Sequence, residues 1–217
     1  PSAVRADEKL SLRTSFPAAE EAEKAAYRKG PPETPEFKRF FGASKTKEEG
    51  RPQVMYHGSP NQFTAFRENK PIFVTPDAGF AEDFAERRIK ESGEKTKVKI
   101  YPLWVRAETP FDFENKAHVQ QVVDKAAQLY SSKENANRIG LSGGLGYAKP
   151  NELYQMLSNG RWDYIENGRI QDVIKQLGFD SFYVQEGAKK NLAVFNANQV
   201  KSVTGNIGEF GEGKDIR

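Results

Sequence analysis

Two histidines, His57 and His118, are the only side chains of this 217-residue chain that ordinarily titrate near neutral pH. His57 stands in VMYHGSPNQFTAF, residues 54–66, after a short apolar run and directly before a Gly-Ser-Pro turn. A histidine in this position is either a functional group at the end of a strand or an ordinary residue at the start of a loop. The pattern around His57 has to decide between these interpretations.

Several other chemistries lack their usual residues. The chain has no cysteine, which excludes a thiol nucleophile, a disulfide and a zinc–thiolate site. Because the two histidines stand apart, we expect no metal site. The glycine-rich segment 142–150, SGGLGYAKP, has no Gly-Lys-Ser/Thr ending and no preceding strand, so it indicates a flexible loop rather than a phosphate-binding loop. A Ser-His-Asp triad is not excluded by spacing, but no Gly-x-Ser-x-Gly motif supports it.

The composition is typical of a soluble domain, with 37% hydrophobic and 29% charged residues. A formal net charge of +3 is too small to indicate nucleic-acid binding by itself. No apolar run reaches the roughly 18–20 residues that cross a membrane, and no signal-peptide pattern is present. Since the sequence starts without Met, we expect it to be part of a longer polypeptide.

The elements that must position His57 mix helices and strands without a regular βαβ rhythm, which predicts the α+β class. Three regions are expected: an N-terminal helical arm or linker (1–50), a main domain (51–204) and a glycine-rich tail (205–217) that is extended or loosely attached. Strands are predicted at 54–57, 71–75, 97–107, 180–186 and 191–200, and helices at 18–30, 34–42, 76–91, 116–130 and twice within 142–178.

Together, several segments resemble the ADP-ribosyltransferase superfamily. The motif YHGS, followed by IFVTPDAGFAEDFA and the late strand NLAVFNANQVKSV, is similar to the histidine-first branch, which includes diphtheria-toxin-like and poly(ADP-ribose) polymerase-like members. The segments TPEFKRFFGASK, GFDSFYVQEGAKKNLAVFNANQVKSVTGN and the terminal KDIR look like the modules of this superfamily in polyvalent proteins of phages and mobile elements. The resemblance covers residues 34–217 and implies a split β-sheet core with flanking helices.

The resemblance implies that the chain transfers ADP-ribose from NAD to a macromolecule and releases nicotinamide. His57 would then hydrogen-bond the adenosine-side ribose, and the backbone of Gly58 would pair with the nicotinamide carboxamide. Phe73 and Phe84 would sandwich the nicotinamide ring, although strand and helix aromatics are usually core residues. Further candidate contacts are the hydroxyls of Ser59 and Thr75, and Arg67 for the pyrophosphate.

The sequence departs from the family pattern at two positions. Phe73 stands where a tyrosine is usual, and Asn191 stands where the resemblance implies a catalytic glutamate. An asparagine accepts a hydrogen bond but cannot act as a general base. Glu186, one strand earlier, is either a substitute that swings in from a loop or a solvated turn residue. The alternatives to the transferase are therefore a catalytically weak or inactive nucleotide-binding module and an NAD glycohydrolase.

The expected partner is a macromolecular acceptor, with a protein favoured over nucleic acid, and no membrane. NAD is expected as the substrate and no metal is required. The resemblance implies the cytoplasm of a bacterial host and a phage- or mobile-element-encoded parent protein. Lys189 and Lys190 are further candidates to contact the pyrophosphate, an acidic target or nucleic acid.

Overall fold

The computed structural model describes residues 16–68, 70–93, 96–135 and 137–217, and they form an α+β fold, as predicted. Two compact units are present: unit 1 comprises residues 16–108 and 191–217, and unit 2 comprises residues 109–190. The helices are α1 (Pro17–Lys29), α2 (Pro35–Phe41), α3 (Ala78–Ser92), α4 (Lys116–Tyr130), α5 (Pro150–Ser158), α6 (Trp162–Ile165) and α7 (Gly168–Gln176). The strands are β1 (Lys47–Glu48), β2 (Arg51–Pro52), β3 (Met55–Ser59), β4 (Ile72–Val74), β5 (Lys99–Val105), β6 (Pro110–Phe111), β7 (Ser131–Ser132), β8 (Arg138–Gly140), β9 (Tyr147–Ala148), β10 (Ser181–Glu186), β11 (Lys189–Val194) and β12 (Val200–Ser202).

Helices α1 and α2 form within one residue of their predicted ranges, and α2 begins at its predicted capping residue. Thr34 caps α2, since its Oγ1 accepts a hydrogen bond from the Phe37 amide at 3.2 Å, and Pro35 is the first helical residue. The aromatic face of α2 packs into an apolar cluster of unit 1 that also contains Trp104 and Phe210. Helix α1 packs through its alanines against β3 and α3. The predicted helical arm is therefore integrated into the core of unit 1.

A three-stranded antiparallel sheet in the order β12-β5-β3 carries His57. His57 lies opposite Tyr101 of β5, and Gly58 lies opposite Ile100. Beyond β3, the backbones of Tyr56 and Thr75 exchange two hydrogen bonds, Tyr56 N to Thr75 O at 2.7 Å and Thr75 N to Tyr56 O at 3.0 Å. This bridge joins the histidine strand to the end of β4.

The late segment 191–200 is not one strand, and this part of the prediction was wrong. Strand β11 ends at Val194, a single 3-10 turn follows at Ala197–Gln199, and β12 then begins at Val200. The Asn196 amide donates to Gln199 Oε1 at 2.9 Å, and the Gln199 amide donates back to Asn196 O at 3.1 Å. This local bonding competes with strand pairing, so the chain leaves β4, with which β11 pairs, and joins β5 instead.

The C-terminal residues are packed against unit 1, in contrast to the loosely attached tail that the glycines suggested. Phe210 is 8% exposed and Ile216 only 2% exposed. Two apolar anchors thus hold a segment that is otherwise polar and rich in glycine. The expectation of looseness rested on composition, which does not register where single apolar side chains dock.

Unit 2 is built around helices α4 and α7. Asn115 caps α4 by accepting from the Ala117 amide at 3.0 Å, so the helix begins where the sequence predicts. Strands β6 and β10 pair in parallel, and β7, β8 and β9 form a small antiparallel sheet that the sequence analysis did not predict. Among the described residues, no helix has the length and apolar character needed to cross a membrane.

Candidate functional site

His57 is held in one tautomer by its neighbour in unit 1. Its Nδ1 lies 2.8 Å from the carbonyl oxygen of Phe73. Because a carbonyl oxygen can only accept, Nδ1 carries the proton and donates it. In the neutral ring, Nε2 is then unprotonated and is a hydrogen-bond acceptor.

Burial keeps this imidazole neutral. Loss of solvation lowers the pKa of His57 below its ordinary value, although the hydrogen bond to the Phe73 carbonyl acts in the opposite direction. As a whole residue, His57 is half-buried. It combines a fixed orientation with a neutral charge at pH 7, which suits an acceptor for a hydroxyl group.

An aromatic loop, residues 61–68, lies beside the ring. The centroid of Phe66 is 4.9 Å from that of His57 with the planes at 85°, and Phe63 contacts both rings edge-on. Phe63 also stacks on Tyr101 at 4.3 Å, and the Tyr101 hydroxyl accepts a hydrogen bond from the Phe63 amide at 2.9 Å. These three aromatic residues form one wall beside the imidazole.

The pairing of β4 with β11 places Asn191 on the same face as Phe73. Ala193 lies opposite Phe73 and Leu192 opposite Val74. One step further in this antiparallel register sets Asn191 opposite Thr75. Since opposing residues share a face and alternate residues return to it, Phe73, Thr75, Asn191 and Ala193 project to one side. Asn191 is 2% exposed.

Gly58 has a structural reason to be glycine. A Cβ at this position would lie 2.0 Å from the carbonyl oxygen of Ala81 and 3.1 Å from the Cβ of Ala85, both in α3. Helix α3 can therefore approach β3 only because Gly58 has no side chain. Whether its backbone also pairs with a carboxamide stays a prediction.

Phe80 and Phe84, both in α3, differ in exposure. Phe80 is buried at 4% exposure, whereas Phe84 is partly exposed and the guanidinium carbon of Arg87 lies 5.9 Å from its ring centroid. Phe84 is thus not a buried core residue. Its predicted role of stacking on a flat ring is compatible with this exposure and stays a prediction.

The two hydroxyl candidates both serve the local backbone. Ser59 Oγ accepts from the Asn61 amide at 3.1 Å, and Thr75 Oγ1 accepts from the Asp77 amide at 3.2 Å. Both residues are buried. Arg67 is exposed on the aromatic loop. The turns that Ser59 and Thr75 stabilise each adjoin a strand of the candidate site.

In unit 2, Glu186 differs from its predicted state and Lys190 has acidic partners. Glu186 is the last residue of β10 and is only 5% exposed, so the interpretation as a solvated turn residue is wrong. Lys190 donates to Asp112 at 2.8 Å and also pairs with Glu114. These carboxylates already balance its charge, which argues against the predicted contact with a pyrophosphate. Their hydrogen bonds raise the pKa of Lys190 although burial opposes the shift.

The sequence analysis did not identify Phe63, Phe66 and Tyr101 as neighbours of His57. The signal was present in the segment NQFTAF, because two phenylalanines three residues apart in a polar loop need a surface to cover them.

No group of three or more His, Cys, Asp or Glu side chains suited to a metal is found in the part of the chain that the structure describes.

Comparison with known proteins gives one match. The family model described as ADP-ribosyltransferase in polyvalent proteins matches residues 47–210, which include His57, Phe73, Phe84 and Asn191. No curated protein and no solved structure matches the chain. The matched range contains strands β3, β4 and β11, which carry His57, Phe73 and Asn191, and helix α3, which carries Phe84. The chain belongs to the family of ADP-ribosyltransferases found in polyvalent proteins.

Proposed function

We propose that the chain transfers ADP-ribose from NAD to a macromolecular acceptor and that His57 anchors the adenosine-side ribose, as in the histidine-first branch. The observation that carries the proposal is the bond from His57 Nδ1 to the Phe73 carbonyl. It leaves Nε2 as the acceptor, and a ribose hydroxyl is a donor. Family membership supports ADP-ribosyl transfer in general.

Transfer of ADP-ribose depends on positioning and charge stabilisation, and the reaction does not require a metal. The bond between the nicotinamide nitrogen and the ribose carbon breaks, and nicotinamide leaves with the electron pair. The acceptor forms the new bond to that carbon and loses a proton. The ribose is electron-deficient between these events, so catalysis depends on holding the two reactants in line. His57 would fix one end of NAD, while Phe73 and Phe84 would stack on the nicotinamide.

The proposal is tested by NAD binding and by transfer. Replacing His57 with Ala should weaken NAD binding about tenfold, because one hydrogen bond of roughly 1.4 kcal/mol is lost. Isothermal calorimetry measures the dissociation constant, and incubation of labelled NAD with a bacterial lysate measures transfer to macromolecules. His118→Ala is the matched control, since His118 belongs to unit 2.

Two results would contradict the proposal. The unmodified protein would show no saturable NAD binding, or His57→Ala would bind NAD as tightly as His118→Ala does. An unmodified protein that binds NAD but labels no macromolecule would support a nucleotide-binding module instead.

The second candidate is a nucleotide-binding module with weak or no turnover. The observation that favours it is Asn191, which occupies the strand position where the resemblance implies a glutamate and cannot act as a base. It predicts saturable NAD binding that depends on His57 with no release of nicotinamide. An NAD glycohydrolase, in contrast, would release nicotinamide without labelling any macromolecule.

A further inference from the structure

The C-terminal segment Phe210–Arg217, which we call the strap, contains the KDIR motif and is fastened to unit 1 at two points. Phe210 packs against Phe37 and Phe40 with centroid distances of 5.2 and 5.7 Å. Ile216 is 2% exposed, and its carbonyl accepts a hydrogen bond from the Ser202 amide at 2.6 Å. The strap therefore follows a fixed course over unit 1.

A buried lysine of unit 1 donates hydrogen bonds to the backbone of the strap. Lys201, in β12, is 2% exposed, and its Nζ donates to the carbonyl oxygens of Gly213 at 2.9 Å and Asp215 at 2.6 Å. A buried ammonium group requires such partners, because its loss of hydration is costly. Lys201 therefore depends on the strap, and the strap depends on Lys201.

The opposite edge of the strap pairs with the aromatic loop. Ala65 and Asp215 form an antiparallel bridge, and the Ile216 amide donates to Thr64 O at 2.9 Å. Lys214 and Glu68 add an exposed ion pair at 3.2 Å, which contributes little. The paired loop residues, Thr64 and Ala65, lie between the two phenylalanines that contact His57.

The geometry points to a positioning role for the strap. We propose that it holds the aromatic loop against His57. The aromatic wall then stays in contact with the imidazole, and the ring keeps the orientation in which Nε2 can accept a hydrogen bond from the nucleotide. Residues 60–71 contain no helix or strand of their own within the described part of the chain. Backbone bonds to the strap therefore replace the regular pairing that such a loop lacks. The inference rests on the proposed NAD site for its functional consequence, but not for its structural part.

The test compares two strap variants with a matched control. Ile216→Ala removes the buried anchor, and Lys201→Met removes the donor to the two strap carbonyls. Ile174→Ala makes the same chemical change as Ile216→Ala at a fully buried position of unit 2. Ile216→Val keeps most of the anchor and should behave as the unmodified protein does.

Three readouts separate positioning from a general loss of stability. Hydrogen exchange at the Phe63 amide reports on the loop, since this amide is bonded to Tyr101 and not to the strap. An NMR titration of the His57 ring reports on its surroundings. The dissociation constant for NAD and the turnover number report on function. For both strap variants we expect at least tenfold faster exchange at Phe63, a pKa of His57 closer to its ordinary value, about tenfold weaker NAD binding and a turnover number within twofold of the unmodified protein.

The strap inference is overturned if Phe63 stays protected in both strap variants, or if Ile174→Ala exposes it equally. It is also overturned if the loop opens while a protein that binds NAD keeps its full affinity. If the unmodified protein binds no NAD, the proposed function fails instead. In that case, Phe63 exchange and the His57 titration still decide whether the strap positions the loop.

Discussion

Among single side chains, His57 shows how a backbone carbonyl can define what a histidine does. The sequence predicted a role for His57 from its motif, but not which ring nitrogen would carry the proton. That choice depends on the Phe73 carbonyl, which is 16 residues away along the chain. It could not be predicted from residue types, because tautomers are set by hydrogen-bond partners in the folded protein.

Asn191 is the residue where the sequence and the proposed chemistry disagree most clearly. The structure places it on the same face as Phe73. We predict that Asn191→Glu raises the rate of nicotinamide release at least tenfold, since a positioned carboxylate typically contributes 10²–10⁴-fold in rate. Release is measured by chromatography of the reaction with NAD.

The matched control for this change is Asn191→Gln, which has the length of glutamate without its charge. Both substitutions enlarge a side chain at a site that is 2% exposed, so both should lower stability to a similar extent. Equal rates for the two variants would mean that Asn191 does not occupy the catalytic position.

Among the helices and strands, the sequence predicted best those elements whose ends carry their own signals. Helix α4 has the predicted bounds of 116–130 because Asn115 caps it locally. The break after β11 was missed because the apolar run LAVF suggested a strand that continues to Val200, whereas the turn depends on Asn196 and Gln199 bonding to each other. The aromatic loop was missed because its order comes from residues far along the chain.

The contact between α3 and β3 gives a prediction about stability. Gly58→Ala would put a methyl group 2.0 Å from the Ala81 carbonyl oxygen, so the helix must move away from the sheet. We expect the free energy of unfolding to fall by about 1–3 kcal/mol or more, as overpacking of a tight contact does. Urea denaturation followed by circular dichroism measures it.

Gly211→Ala serves as the control for this substitution. A Cβ at Gly211 meets nothing within 4 Å, and this residue does not have a positive φ. Its replacement should leave stability unchanged within about 0.5 kcal/mol. A Gly58→Ala protein as stable as this control would show that α3 adjusts without cost.

For the molecule as a whole, the two histidines predict lower stability in acid. Burial lowers the pKa of His57 and, against the attraction of Asp112, also that of His118. The unfolded chain then binds more protons below the ordinary value of 6.5, so the free energy of unfolding falls as the pH drops through this region. The stabilisation is fully present above that pH. Denaturation midpoints measured at about pH 7.5, 6.5 and 5.5 test this.

His57→Gln and His118→Gln should each flatten this pH dependence. The hydrogen bonds to Arg217 lower the pKa of Asp215 to about 2. The stabilisation that comes from this shift is lost only at much lower pH, so it does not affect the slope in this range. A slope that is unchanged in both glutamine variants would rule out the histidines as its cause.

The absence of space at Gly58 has a consequence for how related sequences are judged. A relative that has lost its catalysis would still need this glycine, because its helix must still reach its sheet. The glycine of the His-Gly pair therefore has a structural requirement of its own, whatever its backbone contributes to the proposed nucleotide site. Its presence in a related sequence would indicate the packing of α3 on β3 and would not by itself indicate activity.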